Sequence, residues 1–266
     1  MKRILILSAI AVFCLTACKC RNGAQGRQDN PGSPDGQSIT IETYQDNLAM
    51  ALSEGQVDSL LFDVSLEYAS GGLSDKAKSA MNSAIIQQAF DLDEVDGSLE
   101  EVAIRYRENL VDEYFSENTG NGPYDSTWED SISGEFTGSY KNWVNYTFVY
   151  YSYRGGAHAF KTTTQLVFDK NTGALLTEDD FFAEGYKEPV SELLREAVRT
   201  ALSAYNDETL SLVEMENVVP NGNFSVGEDG IQWFFRTYEI MSLVLGSGTT
   251  TIPCTVPWEK LNPYLK

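Results

Sequence analysis

The sequence predicts an α+β fold with a mainly antiparallel sheet and packed helices, and three observations predict it. Alternating apolar and polar runs gather in blocks apart from the helical stripes, whereas a parallel α/β fold would alternate them. Short Gly, Asn and Asp clusters separate neighbouring strand-like runs, as hairpins require. One unbroken helical stripe then stands between two such blocks. The length of 266 residues suits one large domain or two small intertwined ones.

Along the chain, residues 39 to 44 and 60 to 69 are short, partly alternating apolar stretches that read as strands. Between Ser74 and Phe90, Ala77, Ala80, Met81, Ala84, Ile85 and Ala89 recur at the spacing of one helical face. Ser98-Leu99-Glu100-Glu101 has the form of a capping box. It opens a second helix bearing Leu99, Val102, Tyr106, Leu110 and Tyr114 on one side. Glu117 to Tyr124, rich in Gly and Asn, marks a boundary.

Strands follow from Ser131. Tyr146, Phe148 and Tyr150 alternate with Thr147 and Val149, and a second run extends from His158 through Phe168, so Gly155-Gly156 reads as a hairpin turn. Asp169 to Gly173 is a further turn. Val190, Leu193, Leu194, Ala197, Val198, Ala201, Leu202 and Tyr205 form the long helical stripe, with Pro189 in its first turn. Phe224 to Val226 and Ile231 to Phe235 flank the turn Gly227-Glu228-Asp229-Gly230. A strand from Thr249 to Val256 and a short helix from Pro257 to Tyr264 close the pattern.

The first 38 residues have a different character. Met1-Lys2-Arg3 and the apolar run Ile4 to Ala17 have the form of a signal peptide (1–17). The run ends in Leu15-Thr16-Ala17-Cys18, which resembles the bacterial lipobox, and this implies lipidation at Cys18. Residues 18–38 hold Gly23, Gly26, Pro31, Gly32, Pro34 and Gly36 with Ala24 as the sole aliphatic residue after Cys20, the composition of a flexible tether. The expected location is the cell envelope, outside the cytoplasm, with the lipid as anchor to the membrane. Cys254 then stands apart from the signal and tether cysteines. A buried free thiol is expected there in preference to a Cys20–Cys254 bridge.

Charge constrains the partners. The chain carries 19 Lys and Arg against 39 Asp and Glu, a net charge of -20. Removing the two cations of 1–17 and the balance of +1 in 18–38 leaves -23 on residues 39 to 266. Such a surface repels phosphate backbones, so no nucleic-acid partner is expected, and it electrostatically suits a basic protein.

Signatures of chemistry are sparse. The single histidine, His158, excludes a two-histidine zinc site, and no phosphate-binding Gly loop or Gly-x-Ser-x-Gly elbow occurs. No metal or cofactor is therefore expected. Asp91 to Gly97 superficially has the form of a calcium loop, but aligning Gly97 with the required glycine puts Leu92 and Ala103 at ligand positions, which cannot bind a hard cation. Glu178-Asp179-Asp180 reads as the acidic first turn of a helix. Tyr153-Arg154-Gly155-Gly156-Ala157-His158 remains, read either as a tight turn or as a ligand loop in which the glycines permit close approach and Arg154 and His158 make polar contacts. Trp143, Tyr146, Phe148, Tyr150, Tyr151 and Tyr153 crowd one strand, as core or as stacking platforms. Their presence in both parities leaves one face open to exposure.

Three stretches together resemble a known family: Tyr153 to His158; Phe168 to Gly173 running into Leu176-Thr177-Glu178-Asp179-Asp180-Phe181-Phe182; and Gly230 to Phe235 with Tyr238-Glu239-Ile240 and Ile252-Pro253. They resemble the extracytoplasmic domain of the RsiV-type anti-sigma factors, also the accessory domain of PdaC-type peptidoglycan deacetylases. The resemblance covers roughly residues 60 to 266. It implies two intimately associated subdomains, here 39–130 and an RsiV-like 131–266. It also implies a receptor-like role toward lysozyme or the cell wall. The expected function is a non-catalytic envelope lipoprotein binding a lysozyme-like protein or a peptidoglycan ligand through Tyr153, Arg154, Gly155, Gly156 and His158. The alternatives are an envelope hydrolase using His158 or a carboxylate pair, and a purely structural envelope component.

Overall fold

The computed structural model describes residues 27–28, 38–51, 60–118, 127–202, 212–241 and 251–266. Cys18, the signal and almost all of the tether lie outside them. The fold is α+β, as expected. A seven-stranded sheet runs in sequence order from β1 (Arg27–Gln28) through β2 (Thr40–Met50), β3 (Leu60–Gly71), β4 (Trp128–Tyr140), β5 (Trp143–Tyr153) and β6 (Phe160–Asp169) to β7 (Leu175–Leu176). All its pairings are antiparallel except β3 with β4, where Leu60 stands opposite Trp128. A parallel pair needs a crossover, and helices α1 (Asp75–Phe90) and α2 (Leu99–Asn118) supply it. Residue 131, the subdomain boundary expected from the sequence, lies within β4.

Both helices start at side-chain caps, that of α2 being the capping box read from the sequence. The Ala77 N–H donates to Ser74 Oγ, and Glu101 Oε2 accepts from the Ser98 N–H at 2.7 Å while the Glu101 N–H donates to Ser98 Oγ. Helix α1 turns Ala77, Met81, Ile85, Ile86, Ala89 and Phe90 inward. Ala80, expected on that face, is exposed, and Ile86 and Phe90 widen the stripe on its other side.

A second, three-stranded sheet has the order β10-β9-β8, built from β8 (Phe224–Val226), β9 (Gly230–Arg236) and β10 (Thr251–Pro257). Helix α3 (Glu178–Phe181) precedes α4 (Lys187–Leu202), which buries Val190, Leu194, Val198 and Leu202 beside β10. Thr237–Ile240 forms α5. The expected closing helix is two short pieces, α6 (Trp258–Leu261) and a 3₁₀ turn over Asn262–Tyr264, since Pro263 has no N–H to continue an α ladder.

Two apolar cores result, and the large sheet is the wall between them. Val144, Tyr146, Phe148, Leu166 and Phe168 join the core under α1 and α2. Val167 joins the core under α4 and the small sheet, with Trp143 packed against it. Successive side chains of a strand point to opposite faces, so a strand covered on both sides needs apolar residues in both parities. This explains the aromatic crowding of β5: Tyr146 and Phe148 are buried, and Trp143 meets the second core at 5.1 Å from the Phe181 ring. Tyr150, Tyr151 and Tyr153, farther along, are partly exposed.

Candidate functional site

The segment from Tyr153 to His158 joins β5 to β6 at one end of the large sheet. Gly155 and Gly156 have φ of 80° and 106°, a region L side chains rarely adopt, so the turn itself requires glycine. No atom lies within 4 Å of the place a Gly156 Cβ would take, so at 156 conformation rather than close packing selects glycine. The Tyr153 hydroxyl donates to the Gly156 carbonyl at 2.9 Å and closes the turn. His158 is exposed and has no hydrogen bond or ion pair with the described residues.

Arg154 behaves differently from its neighbours. It points back to the sheet, where its Nη2 donates to Asp130 Oδ2 at 2.8 Å and its guanidinium lies 4.5 Å from the Trp128 ring centroid. Asp130 is wholly buried and also accepts from the Tyr106 hydroxyl at 3.0 Å. Burial, then the Asp130 charge, pushes the Tyr106 phenol well above its ordinary pKa. Tyr114, also fully buried, sets its ring 5.4 Å from Trp128. The base of the turn is therefore an ion pair, a cation–π contact and an edge-packed aromatic pair. Beyond the turn stands Phe160, 59% exposed, with Tyr150 at 6.1 Å between centroids.

The structure thus brings Tyr153, Arg154, Gly155 and Gly156 into one turn but gives them unlike roles. Arg154 anchors and the glycines shape. Sequence reasoning missed Trp128, Asp130 and Phe160. The signal for Asp130 was a charged residue in the buried parity of β4, between Trp128 and Ile132. Among the described residues no group of three or more His, Cys, Asp or Glu could hold a metal ion. None of their helices is long and apolar enough to cross a membrane.

The second core carries the sequence likeness. Residues 179–255 match the DUF3298 family model, a protein of unknown function. The DUF3298 match runs from within α3 to within β10 and so contains α4 and most of the small sheet. A crystal structure of a DUF3298 family member from Bacteroides fragilis NCTC 9343 superposes with a TM-score of 0.72 at 22% identity, covering 92% of this chain and 96% of that one. A DUF3298 family protein from Pseudomonas aeruginosa PAO1 does so with a TM-score of 0.62 at 12% identity, covering 86% and 94%. At such identities the likeness establishes the fold. No curated protein matches the chain.

Proposed function

We propose that this chain is a non-catalytic envelope lipoprotein, anchored through Cys18, that binds a basic, lysozyme-like protein or a cell-wall glycan through the β5–β6 turn. The observation that carries this reading is Phe160, a large apolar side chain 59% exposed beside a turn whose base is locked to a buried carboxylate. Exposed aromatics on a rigid support are the usual anchors of recognition surfaces, since little conformational freedom is lost on binding. Net charge supports the basic partner, and the resemblance of Tyr153 to His158 to the RsiV-type module supports either ligand.

The test is retention of lysozyme and of purified peptidoglycan by the immobilised full chain, at low and raised salt. Retention of one of them that falls about ten-fold or more in Phe160→Ala is expected, the loss of a central aromatic anchor. A protein ligand is marked by steep salt dependence, a glycan ligand by weak dependence. Retention of neither, or equal retention by Phe160→Ala, overturns the proposal.

A further inference from the structure

Beside the middle of β6, where the two cores meet, lies a cleft of about 300 Å³, within the small-molecule range. Gln165, Glu178 and Tyr186 form its buried floor, and Gln88, Asp179 and Lys187 its exposed rim. Glu178 is only 8% exposed. Its Oε1 accepts from the Trp233 indole N–H at 2.7 Å and from the Gly222 backbone N–H at 3.0 Å. Both donors are neutral, and no ion pair reaches Glu178 among the described residues.

That arrangement is unusual for a purely structural residue. A carboxylate withdrawn from water is costly unless a cation compensates it. A glutamine would accept the same two N–H bonds without the charge. The Tyr186 phenol faces Glu178 and Asp179, both of which, after burial, push its pKa upward. The carboxylate on the floor therefore has no direct ion pair among the described residues, Lys187 lining the rim without reaching it, and the cleft opens toward solvent that the net negative field enriches in cations.

We propose that this cleft binds a small polar molecule carrying a primary ammonium group, with the ammonium seated against Glu178. An ammonium offers three donors, and Glu178, Asp179 and Gln88 supply acceptor oxygens to the lining of the cleft. Lys187 on the rim opposes a second positive charge and favours a ligand with one. Two sources share this chemistry, an amino sugar and an amino-acid amine. The site lies apart from the β5–β6 turn and does not depend on it.

The experiment is calorimetric titration of the full chain with glucosamine and with alaninamide, and with N-acetylglucosamine as the neutral comparator. Tryptophan emission is followed in parallel, because the Trp233 indole shares the Glu178 carboxylate. Saturable binding of at least one amine is expected, about ten-fold or more tighter than the neutral sugar, as a charge-assisted hydrogen bond implies. Whichever amine binds assigns the source. Glu178→Gln should weaken it by about ten-fold with both N–H bonds still accepted, Asp179→Asn on the exposed rim by a few-fold, and Lys187→Met should tighten it. Phe160→Ala should leave it unchanged, which separates this site from the turn. No saturation with either amine, equal affinity for the neutral sugar, or an amine affinity indifferent to both Glu178→Gln and Asp179→Asn overturns the proposal.

Discussion

Two polar regions flank β5 and β6, and they are built on opposite terms. Where the sheets meet, Asn145 donates to the Val226 carbonyl at 2.8 Å and accepts from the Val226 N–H at 2.9 Å, as another strand would. Asn223 accepts from the Gln165 N–H at 2.7 Å and donates to the carbonyls of Thr163 and Phe234. Those buried amides are matched to backbone groups. At the turn end, Asp130 Oδ1, Arg154 Nη1 and the Tyr114 hydroxyl are buried without a hydrogen-bond partner among the described residues. There the partners are side chains, and they are incompletely matched. Backbone-matched amides thus hold the two sheets together at the junction, whereas the turn end rests on side-chain pairs that leave buried polar atoms unmatched.

The sharpest way to break this comparison is to remove one partner at the turn end. Arg154→Met leaves the buried Asp130 with only the Tyr106 hydroxyl; breaking a fully buried pair costs about 3–5 kcal/mol, and the one-third exposure of Arg154 sets that as the upper bound here. Denaturant unfolding should show that loss. Because both partners are side chains, the double change Asp130→Leu with Arg154→Met should recover most of it, since an apolar pair of similar volume often replaces a buried ion pair without penalty. A double variant as unstable as the single one would show that Asp130 is held by more than Arg154.

At the junction no such rescue exists, because the partner of Asn145 is backbone. Asn145→Ala leaves the Val226 N–H and carbonyl buried and unmatched, at about 1–3 kcal/mol each. Asn145→Leu should be no better. Cys254, 1% exposed in the second core, reports where the damage falls, for burial raises its thiol pKa to about 12. Labelling by a thiol reagent at pH 8 should be slow in the parent chain and faster in Asn145→Ala, which loosens the small sheet. In Arg154→Met it should accelerate less at matched stability. Equal acceleration in both would mean that the two cores open as one unit.

The regularities of the fold were legible because they are local. Ser74, Ser98 and Glu101 act within a few residues, and so do the Asp169 carboxylate and the N–H groups of Asn171 and Thr172 that it caps. The parallel pairing of β3 with β4 was not legible, since nothing in either strand encodes its neighbour's direction. In the turn, Gly155 and Gly156 announced themselves by type, whereas the inward aim of Arg154 depends on Asp130, 24 residues away. Glu178 was read as an acid in a first helical turn, where it does sit. Its burial depends on Trp233, 55 residues on, which no local pattern contains.

The smallest expected effect comes from the exposed first turn of α2, outside the junction, and it serves as the baseline. Glu101 is exposed, and its carboxyl is held below its ordinary value of 4.5 chiefly by the backbone N–H of Ser98, then by the Ser98 hydroxyl. A group whose folded pKa is depressed stabilises the fold above its unfolded pKa. That contribution is lost as pH falls through the folded value. Glu101→Gln should therefore be slightly less stable than the parent at pH 7, and the gap should close below about pH 4. Salt screens so exposed a group, which keeps the effect small. Helix α2 is not part of the junction, so Cys254 labelling in Glu101→Gln should match the parent at pH 8. If it rose as in Asn145→Ala, labelling would be reporting global unfolding rather than the junction, and the contrast between the two regions would lose its measure.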